Sequence, residues 1–434
     1  MVGEGERALL IGAAVRGQQE AFSLDDSLDE LALLADTAGL HVVGRETQRL
    51  TAINPGTFIG SGKVNEIKAL CGSLGFEVLV FDDELSPAQL RNLEREIDVR
   101  ILDRTALILD IFAMHARTRE GALQVELAQY AYRLPRLTRQ WTHLSRQGVG
   151  GVGLRGPGET QLEVDRRDIG RRMAHLRREL EQVRQQRGLH RQRRRRSGIP
   201  VISIVGYTNA GKSTLLNRLT GADVLVEDKL FATLDPTTRR LALPGGKQVL
   251  FTDTVGFIQK LPTQLVAAFR ATLEEVQEAD MLLHLVDVSD PNRAKKIEAV
   301  ETILAELDAE TKPTILVLNK IDLVDPESDL GKAPESRFAT PSAQPDDWER
   351  YQQVVTASAA QGVGIDELLE AIEAQLISAM EAVTMTIPYA HGELVDLWHK
   401  RGIVEALDYV EQGVTITGRV PRWLLGIISE HAQD

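Results

Sequence analysis

Eight residues in a row, Gly206, Tyr207, Thr208, Asn209, Ala210, Gly211, Lys212 and Ser213, have the types and spacing of a phosphate-binding loop. They follow the short apolar run Val201-Ile202-Ser203-Ile204-Val205, which reads as a buried strand. Leu215, Leu216 and Leu219 after them lie on one face of a helix. The motif requires this strand–loop–helix order. Gly206 and Gly211 let the backbone curl so that its N–H groups converge on a β-phosphate. The helix beginning near Lys212 adds a positive dipole end. Lys212 suits the β- and γ-oxygens, and the Ser213 hydroxyl suits Mg²⁺. The bland alternative is a glycine turn before an ordinary helix, and the flanking elements argue against it.

A second motif, Asp253-Thr254-Val255-Gly256, ends the apolar run Gln248–Thr252. Asp253 suits Mg²⁺ through a water, and Gly256 lets a backbone amide reach a γ-phosphate. Release of that contact after hydrolysis is how such switches move. Between the two motifs lies Phe231-Ala232-Thr233-Leu234-Asp235-Pro236-Thr237-Thr238. A threonine here completes the Mg²⁺ shell, and spacing does not choose among Thr233, Thr237 and Thr238.

A third and a fourth motif select the base. Leu316-Val317-Leu318 delivers Asn319, Lys320, Ile321 and Asp322 at its carboxyl end. Such ends line the ligand crevice of an open α/β sheet. A carboxylate at 322 accepts two hydrogen bonds from guanine N1–H and its 2-amino group, donors that adenine lacks there. A site built on such a bond rejects the analogue without it by large factors. The Lys320 stem packs along the base, and Asn319 ties loops together. Ala357, Ser358 and Ala359 come last, with the Ala359 N–H placed for guanine O6. Taken alone, Asn-Lys-Ile-Asp reads as a polar strand end. Four motifs in order, each at a strand end, point to GTP and GDP with Mg²⁺.

One group is missing. Many GTPases place a glutamine after Asp-x-x-Gly to orient the attacking water. Here that position is Phe257, followed by Ile258, and neither hydrogen-bonds water. Slow hydrolysis by the protein alone, completed by a partner, is the expectation.

The elements that position these residues belong to a multidomain α/β protein. A chain of 434 residues is long enough for several domains. Its one cysteine, Cys71, excludes a disulfide framework and fits a reducing cytoplasm. The Met1–Val15 stretch has a short apolar run and carries glutamates, unlike a secretory signal. No stretch approaches the ~18 apolar residues of a membrane span.

Net charge is −13, against blanket nucleic-acid affinity. Arg166 to Arg196, however, holds thirteen arginines against Asp168, Glu179 and Glu181, a balance of +10. The pattern is a local basic surface on an acidic protein. A solvated helix face is the plain explanation. So many arginines with so few acids repel one another unless they meet an anion, which favours contacts to a phosphate backbone.

Four regions are expected: 1–118, 119–197, 198–380 and 381–434. The first alternates strands (His41–Gly44, Val78–Phe81, Val99–Leu102) with helices (Leu28–Ala38, Lys63–Leu74, Ser86–Ile97), a small parallel α/β domain. Ser86 before Pro87 is a helix start signal. Gly60-Ser61-Gly62-Lys63 there resembles a truncated phosphate loop or a plain helix-capping turn.

In the second region Leu123, Leu127, Tyr130, Leu134 and Leu137 form one heptad seam. Ile169, Met173, Leu176, Leu180 and Val183 form another. Pro135 should kink the first helix. The glycine-rich run 148–158 between them reads as the tip of an antiparallel helical hairpin, either a partner-binding tip or a connector. The third region is the nucleotide domain, with a Pro/Ser/Asp-rich insertion from Pro326 to Gln353. The last has strands at Val383–Ile387, Ile403–Tyr409 and Gly413–Thr417 and a helix from Gly392 to Lys400.

Nearly the whole chain resembles the HflX family of translational GTPases. The most specific part is Trp141-Thr142-His143-Leu144-Ser145-Arg146-Gln147, leading to Gly156-Pro157-Gly158-Glu159-Thr160-Gln161-Leu162-Glu163. The segments at 81–89, 102–105 and 231–235 also fit. The resemblance implies a cytoplasmic, monomeric factor that binds the large ribosomal subunit and its RNA, and splits or recycles stalled ribosomes, notably after heat stress. It implies that the glycine tip reaches toward the peptidyl-transferase region, and that Thr233 is the Mg²⁺ ligand of the first switch. Phenylalanine after Asp-x-x-Gly also occurs in the family, consistent with ribosome-stimulated hydrolysis. The rival reading is a GTP-switched scaffold whose heptad helices bind protein partners.

Overall fold

The computed structural model of the chain describes residues 5–17, 21–137, 161–221, 230–231, 233–260, 273–324, 351 and 353–429, with side chains at all of these but 161–162 and 188–197. The segment Trp141–Gln147, the glycine tip, Ala232 and most of the 326–353 insertion lie outside the described residues, as do the side chains of Arg193–Arg196. The chain divides into two compact units. One comprises Met1–Gly188, Glu227–Asp235 and Val255–Glu274; the other comprises Leu189–Val226, Pro236–Thr254 and Glu275–Asp434.

The first unit is built on a parallel sheet of β1 (Arg7–Val15), β2 (His41–Leu50), β3 (Val78–Phe81) and β4 (Arg100–Asp103), in the order β2-β1-β3-β4. β1 was not among the expected strands. It is an almost continuous apolar run, and Leu9, Leu10 and Ile11 are buried at its centre. A strand covered on both faces carries no alternation to read. Helices α1 (Leu24–Thr37), α2 (Ser61–Leu74) and α3 (Pro87–Glu96) make the crossovers, and α4 (Arg104–His115) follows the last strand. Their starts are local chemistry. Ser23 closes a capping box with Asp26, and Ser86 closes one with Gln89 ahead of Pro87.

The Gly60–Lys63 turn proves to be a helix start. The Lys63 ammonium is held by Glu46 at 2.6 Å and Glu66 at 3.0 Å, and the Gly60 N–H donates to Gln48. Two carboxylates already occupy the charge that a phosphate would need.

The seam on α5 (Arg119–Arg133) meets the seam on α6 (Gln161–Ser197) as Leu123, Leu176 and Leu180, with Leu127 and Tyr130 packed against them. Arg172 grips Glu126 with two bonds of 2.9 Å beside it. Pro135 ends α5 instead of kinking it, because the chain passes into a 3₁₀ turn over Leu134–Arg136.

The second unit carries a six-stranded sheet in the order β10-β9-β8-β5-β7-β6. Its strands are β5 (Val201–Gly206), β6 (Thr237–Ala242), β7 (Gln248–Asp253), β8 (Met281–Asp287), β9 (Thr314–Asn319) and β10 (Gln353–Thr356). Only β6 runs antiparallel to its neighbour. Helices α7 (Lys212–Thr220), α8 (Arg293–Glu306) and α9 (Ile365–Ser378) cover it. The core joins Ile202, Ile204, Phe251, Leu283 and Val317 from the strands to Leu215, Leu219, Leu368 and Ile372 from helices. Central strands this apolar hold the loops at their carboxyl ends in place.

The same unit ends in an antiparallel sheet, β11 (Glu381–Pro388), β13 (Gly413–Val420) and β12 (Ile403–Val410). It is backed by α10 (Gly392–Arg401), whose Trp398 is fully buried, and by α11 (Arg422–Ser429). The expected strands and helix are present here, each running to its observed bounds. α11 was not anticipated.

Candidate nucleotide site

β5 ends at Gly206 with φ +152°, and a Cβ there would lie 2.3 Å from the Leu285 carbonyl oxygen. No other residue fits that approach. Asn209 (φ 60°) and Gly211 (φ 94°) then turn the chain into α7. Alternating handedness of this kind aims successive N–H groups into one concavity, an anion nest.

Lys212 is buried at the first position of α7. Its ammonium donates to the carbonyls of Tyr207 at 2.7 Å and Gly206 at 3.2 Å, so it folds back over its own loop. Burial pushes its pKa down to about 8, against the pull of the Asp253 charge. A cation this costly to bury is a group for which an incoming anion is favourable.

Next to it the Ser213 hydroxyl donates to Asp253 Oδ2 at 2.7 Å. Asp253 terminates β7, and Thr254 after it donates to the Ile204 carbonyl at 2.7 Å. Two hard oxygen donors thus converge beside the phosphate loop. They fit Mg²⁺, which keeps waters and substrate phosphates as its other ligands. Among the described residues no cluster of three or more His, Cys, Asp and Glu is placed for a metal, and such a Mg²⁺ needs none.

The base-recognition residues meet at the carboxyl ends of β9 and β10. Asn319 is 2 % exposed; its Nδ2 donates to the Ala210 carbonyl at 2.8 Å, and its Oδ1 accepts the Ala359 N–H at 3.0 Å. It therefore ties the phosphate loop to the last motif, as expected from its type. The Ala359 N–H, expected at guanine O6, is engaged by Asn319. Lys320 sits in the left-handed region at φ 65°, with its ammonium 2.8 Å from Asp287. Asp322 is exposed, and one carboxylate oxygen accepts the Ser358 hydroxyl at 2.5 Å. Ser358 itself is fully buried, as is Ala357, and the Ile321 N–H donates to the Ala357 carbonyl.

The three candidate threonines separate. Thr237 and Thr238 lie in β6, in register with Asp253 and Thr252, and Thr238 shares a 3.0 Å hydroxyl contact with Thr252. Thr233 stands outside the strand, in the irregular segment before it. That segment belongs to the first unit and is pinned there. The Phe231 ring packs edge-on against Phe112 at 4.6 Å, and the Leu230 N–H donates to Thr37. Asp235 accepts the N–H groups of Arg117 at 2.8 Å and Thr118 at 2.7 Å, together with the Thr118 hydroxyl. Its carboxylate is committed to the start of α5, a role that no sequence signal near residue 235 announces. The other switch segment is in the same unit: Val255, Phe257 and Ile258 are buried, and Lys260 forms an ion pair with Asp82.

Known proteins match the chain throughout. Residues 25–113 match a family described as GTP-binding GTPase N-terminal, 115–194 one described as GTP-binding GTPase Middle Region, and 201–320 one described as 50S ribosome-binding GTPase. The GTPase HflX of Caldanaerobacter subterraneus is 48% identical over 415 residues, covering 96% of this chain and 91% of that protein. The GTPase HflX of Escherichia coli is 44% identical over 418 residues, 96% of this chain and 94% of its own length. A crystal structure of a GTP-binding protein from Sulfolobus solfataricus in complex with GDP is 24% identical, covers 85% of this chain and 98% of that one, and has a TM-score of 0.44.

Proposed function

Because the chain belongs to the HflX family and is a GTP-hydrolysing enzyme, we propose that it binds the large ribosomal subunit and splits or recycles stalled ribosomes, in a cycle driven by GTP. The observation that carries this reading is the match of its nucleotide domain to GTPases described as 50S ribosome-binding. The arginine-rich stretch of α6 supplies the charge such a partner needs, since thirteen arginines from 166 to 196 oppose three acids. Action in stress, a cytoplasmic location and a monomeric state belong to the same proposal. Among the described residues no helix is long and apolar enough to cross a membrane.

Each residue has a role in the proposed cycle. The 206–213 loop cradles the α- and β-phosphates with its N–H groups, and Lys212 exchanges its two carbonyl partners for phosphate oxygens. Ser213 and Thr233 would hold Mg²⁺, and Asp253 would reach it through a water. When bound, the ion neutralises charge on the phosphates. The Gly256 N–H meets the γ-phosphate. Asp322 accepts from the guanine edge, and Lys320 lines the base. Phe257 and Ile258, both 2 % exposed, offer no hydrogen bond to an attacking water. The protein alone therefore hydrolyses GTP slowly, and the ribosome accelerates it. GTP and GDP act by their different affinity for two poses of the protein, which is all such a switch requires.

The scaffold reading loses ground on one observation. Leu123, Leu176 and Leu180 already bury the two heptad seams against each other within the chain.

The deciding experiment is GTP hydrolysis with and without purified ribosomes or large subunits, at two salt concentrations. Strong stimulation that is abolished by Lys212→Ala supports the proposal. Hydrolysis that ignores ribosomes and tracks protein concentration refutes it in favour of a self-associating switch.

A further inference from the structure

The first unit's sheet has its order reversal between β1 and β3, where the connection from β1 leads outward to β2 and the chain returns to β3. In open α/β sheets the crevice outside the carboxyl ends of the strands at such a point holds a ligand. Here it holds a side chain. Asp82, immediately after β3, is fully buried and its N–H donates to the Ile11 carbonyl in the middle of β1. One Asp82 oxygen pairs with Arg104 at 2.7 Å; the other accepts the Ser27 hydroxyl at 2.6 Å. Arg104 also pairs with Glu30. Into this group come Gln259, donating to Ser27 at 3.2 Å, and Lys260, whose ammonium lies 2.6 Å from Asp82 and 2.7 Å from Asp83.

Several features mark this as a built contact. Lys260 adopts φ 51°, a left-handed conformation that is costly for a non-glycine residue and persists where surroundings over-determine it. Burial alone would depress the Lys260 ammonium, yet Asp82 and Asp83 hold it above its ordinary value. Burial likewise raises Asp83, against the opposing pull of Lys260. Glu30, Asp82 and Asp83 bring three carboxylates to the crevice, and Lys260 adds a second positive charge to that of Arg104.

We propose that this crevice is the receptor for Gln259 and Lys260, and that Lys260 is a positioning residue for γ-phosphate recognition. Only Phe257, Ile258 and Gln259 separate it from Gly256. Anchoring position 260 reduces the conformations open to the Gly256 amide, so part of the ordering cost of meeting a γ-phosphate is met in advance. GDP has no γ-phosphate and gains nothing from this. The inference rests on the nucleotide reading above and adds that the N-terminal sheet participates in telling GTP from GDP.

The test is the affinity of full-length protein for GDP and for a non-hydrolysable GTP analogue, both with Mg²⁺, in Lys260→Ala, Lys260→Arg and Asp83→Asn. Lys260→Ala is expected to keep GDP affinity within about twofold and to weaken the analogue by about fivefold or more, the lower end of usual coupling energies. Lys260→Arg stays within about twofold for both ligands, and Asp83→Asn falls between. By reciprocity, hydrogen exchange at 27–31 and 81–85 is slower with the analogue than with GDP. An unchanged ratio of the two affinities in Lys260→Ala, or equal loss of both ligands, overturns the inference. Wild-type protein that binds neither nucleotide overturns the nucleotide reading itself.

Discussion

Gly211 and Asn319 are more than a hundred residues apart in the chain and in contact in the fold. A Cβ on Gly211 would sit 2.4 Å from the Asn319 amide nitrogen, the same nitrogen that donates to the Ala210 carbonyl at 2.8 Å. The bend of the phosphate loop and the seat of the base are therefore one arrangement. Gly211→Ala is expected to displace Asn319, strain a backbone at φ 94°, and weaken GDP and GTP alike by about 100-fold or more, of order 3 kcal/mol. Calorimetric titration with GDP checks it; retention of wild-type affinity would show that the loop and Asn319 move independently.

Asp322, the residue proposed to read the base, has an exposed carboxylate braced by Ser358. Asp322→Asn replaces an acceptor with a donor-bearing amide. Affinity for guanine nucleotides should fall by at least about 100-fold, while xanthine nucleotides, which carry a carbonyl where guanine has its 2-amino group, gain. Competition between the two nucleotides on the variant measures the shift. An unchanged preference would place the base elsewhere.

Lys212 links nucleotide binding to pH. Its pKa is lowered to about 8 by burial in the free protein, and a phosphate partner raises it. Below the lower value the ammonium is charged before and after binding, so affinity does not change with pH. Above it binding must take up a proton, so affinity falls as pH rises from about 8 toward the bound value. GDP titrations near pH 6.5 and pH 8.5, each in buffers of different ionisation heat, should show about zero and clearly positive uptake by this group. Equal uptake at both pH values contradicts the assignment.

Asp235 caps a helix from a distance of more than a hundred residues. It accepts two backbone N–H groups and one hydroxyl at the start of α5. Asp235→Ala should cost about 1–3 kcal/mol of stability, because N–H groups at a helix start lose a charged acceptor. Asp235→Asn should recover part of it. Urea unfolding is the measurement, and a variant as stable as wild type would show that water serves these donors equally well.

The four nucleotide motifs were legible because each is local. A glycine that turns, a lysine beside it and an acid at a strand end act within a few residues, and the Ser213–Asp253 and Asn319–Ala210 bonds join residues those motifs had already named. The helix starts at Ser86 and Pro87 were legible for the same reason. β1 was not, since a strand buried on both faces shows no period, and α11 was not, being eight residues at the end of a small domain.

Sequence alone determined which residues are candidates for phosphate and base contacts and the order of the elements that carry them, because those depend on backbone conformation and residue type over short spans. Tertiary structure decided which threonine stands free of a strand and what Asp235 and Lys260 do. It also decided whether the heptad seams face each other. Those answers depend on partners tens to hundreds of residues away: Lys260 meets Asp82 and Asp235 meets Thr118 only once both ends of each pair are packed, and no local pattern encodes a partner chosen by packing.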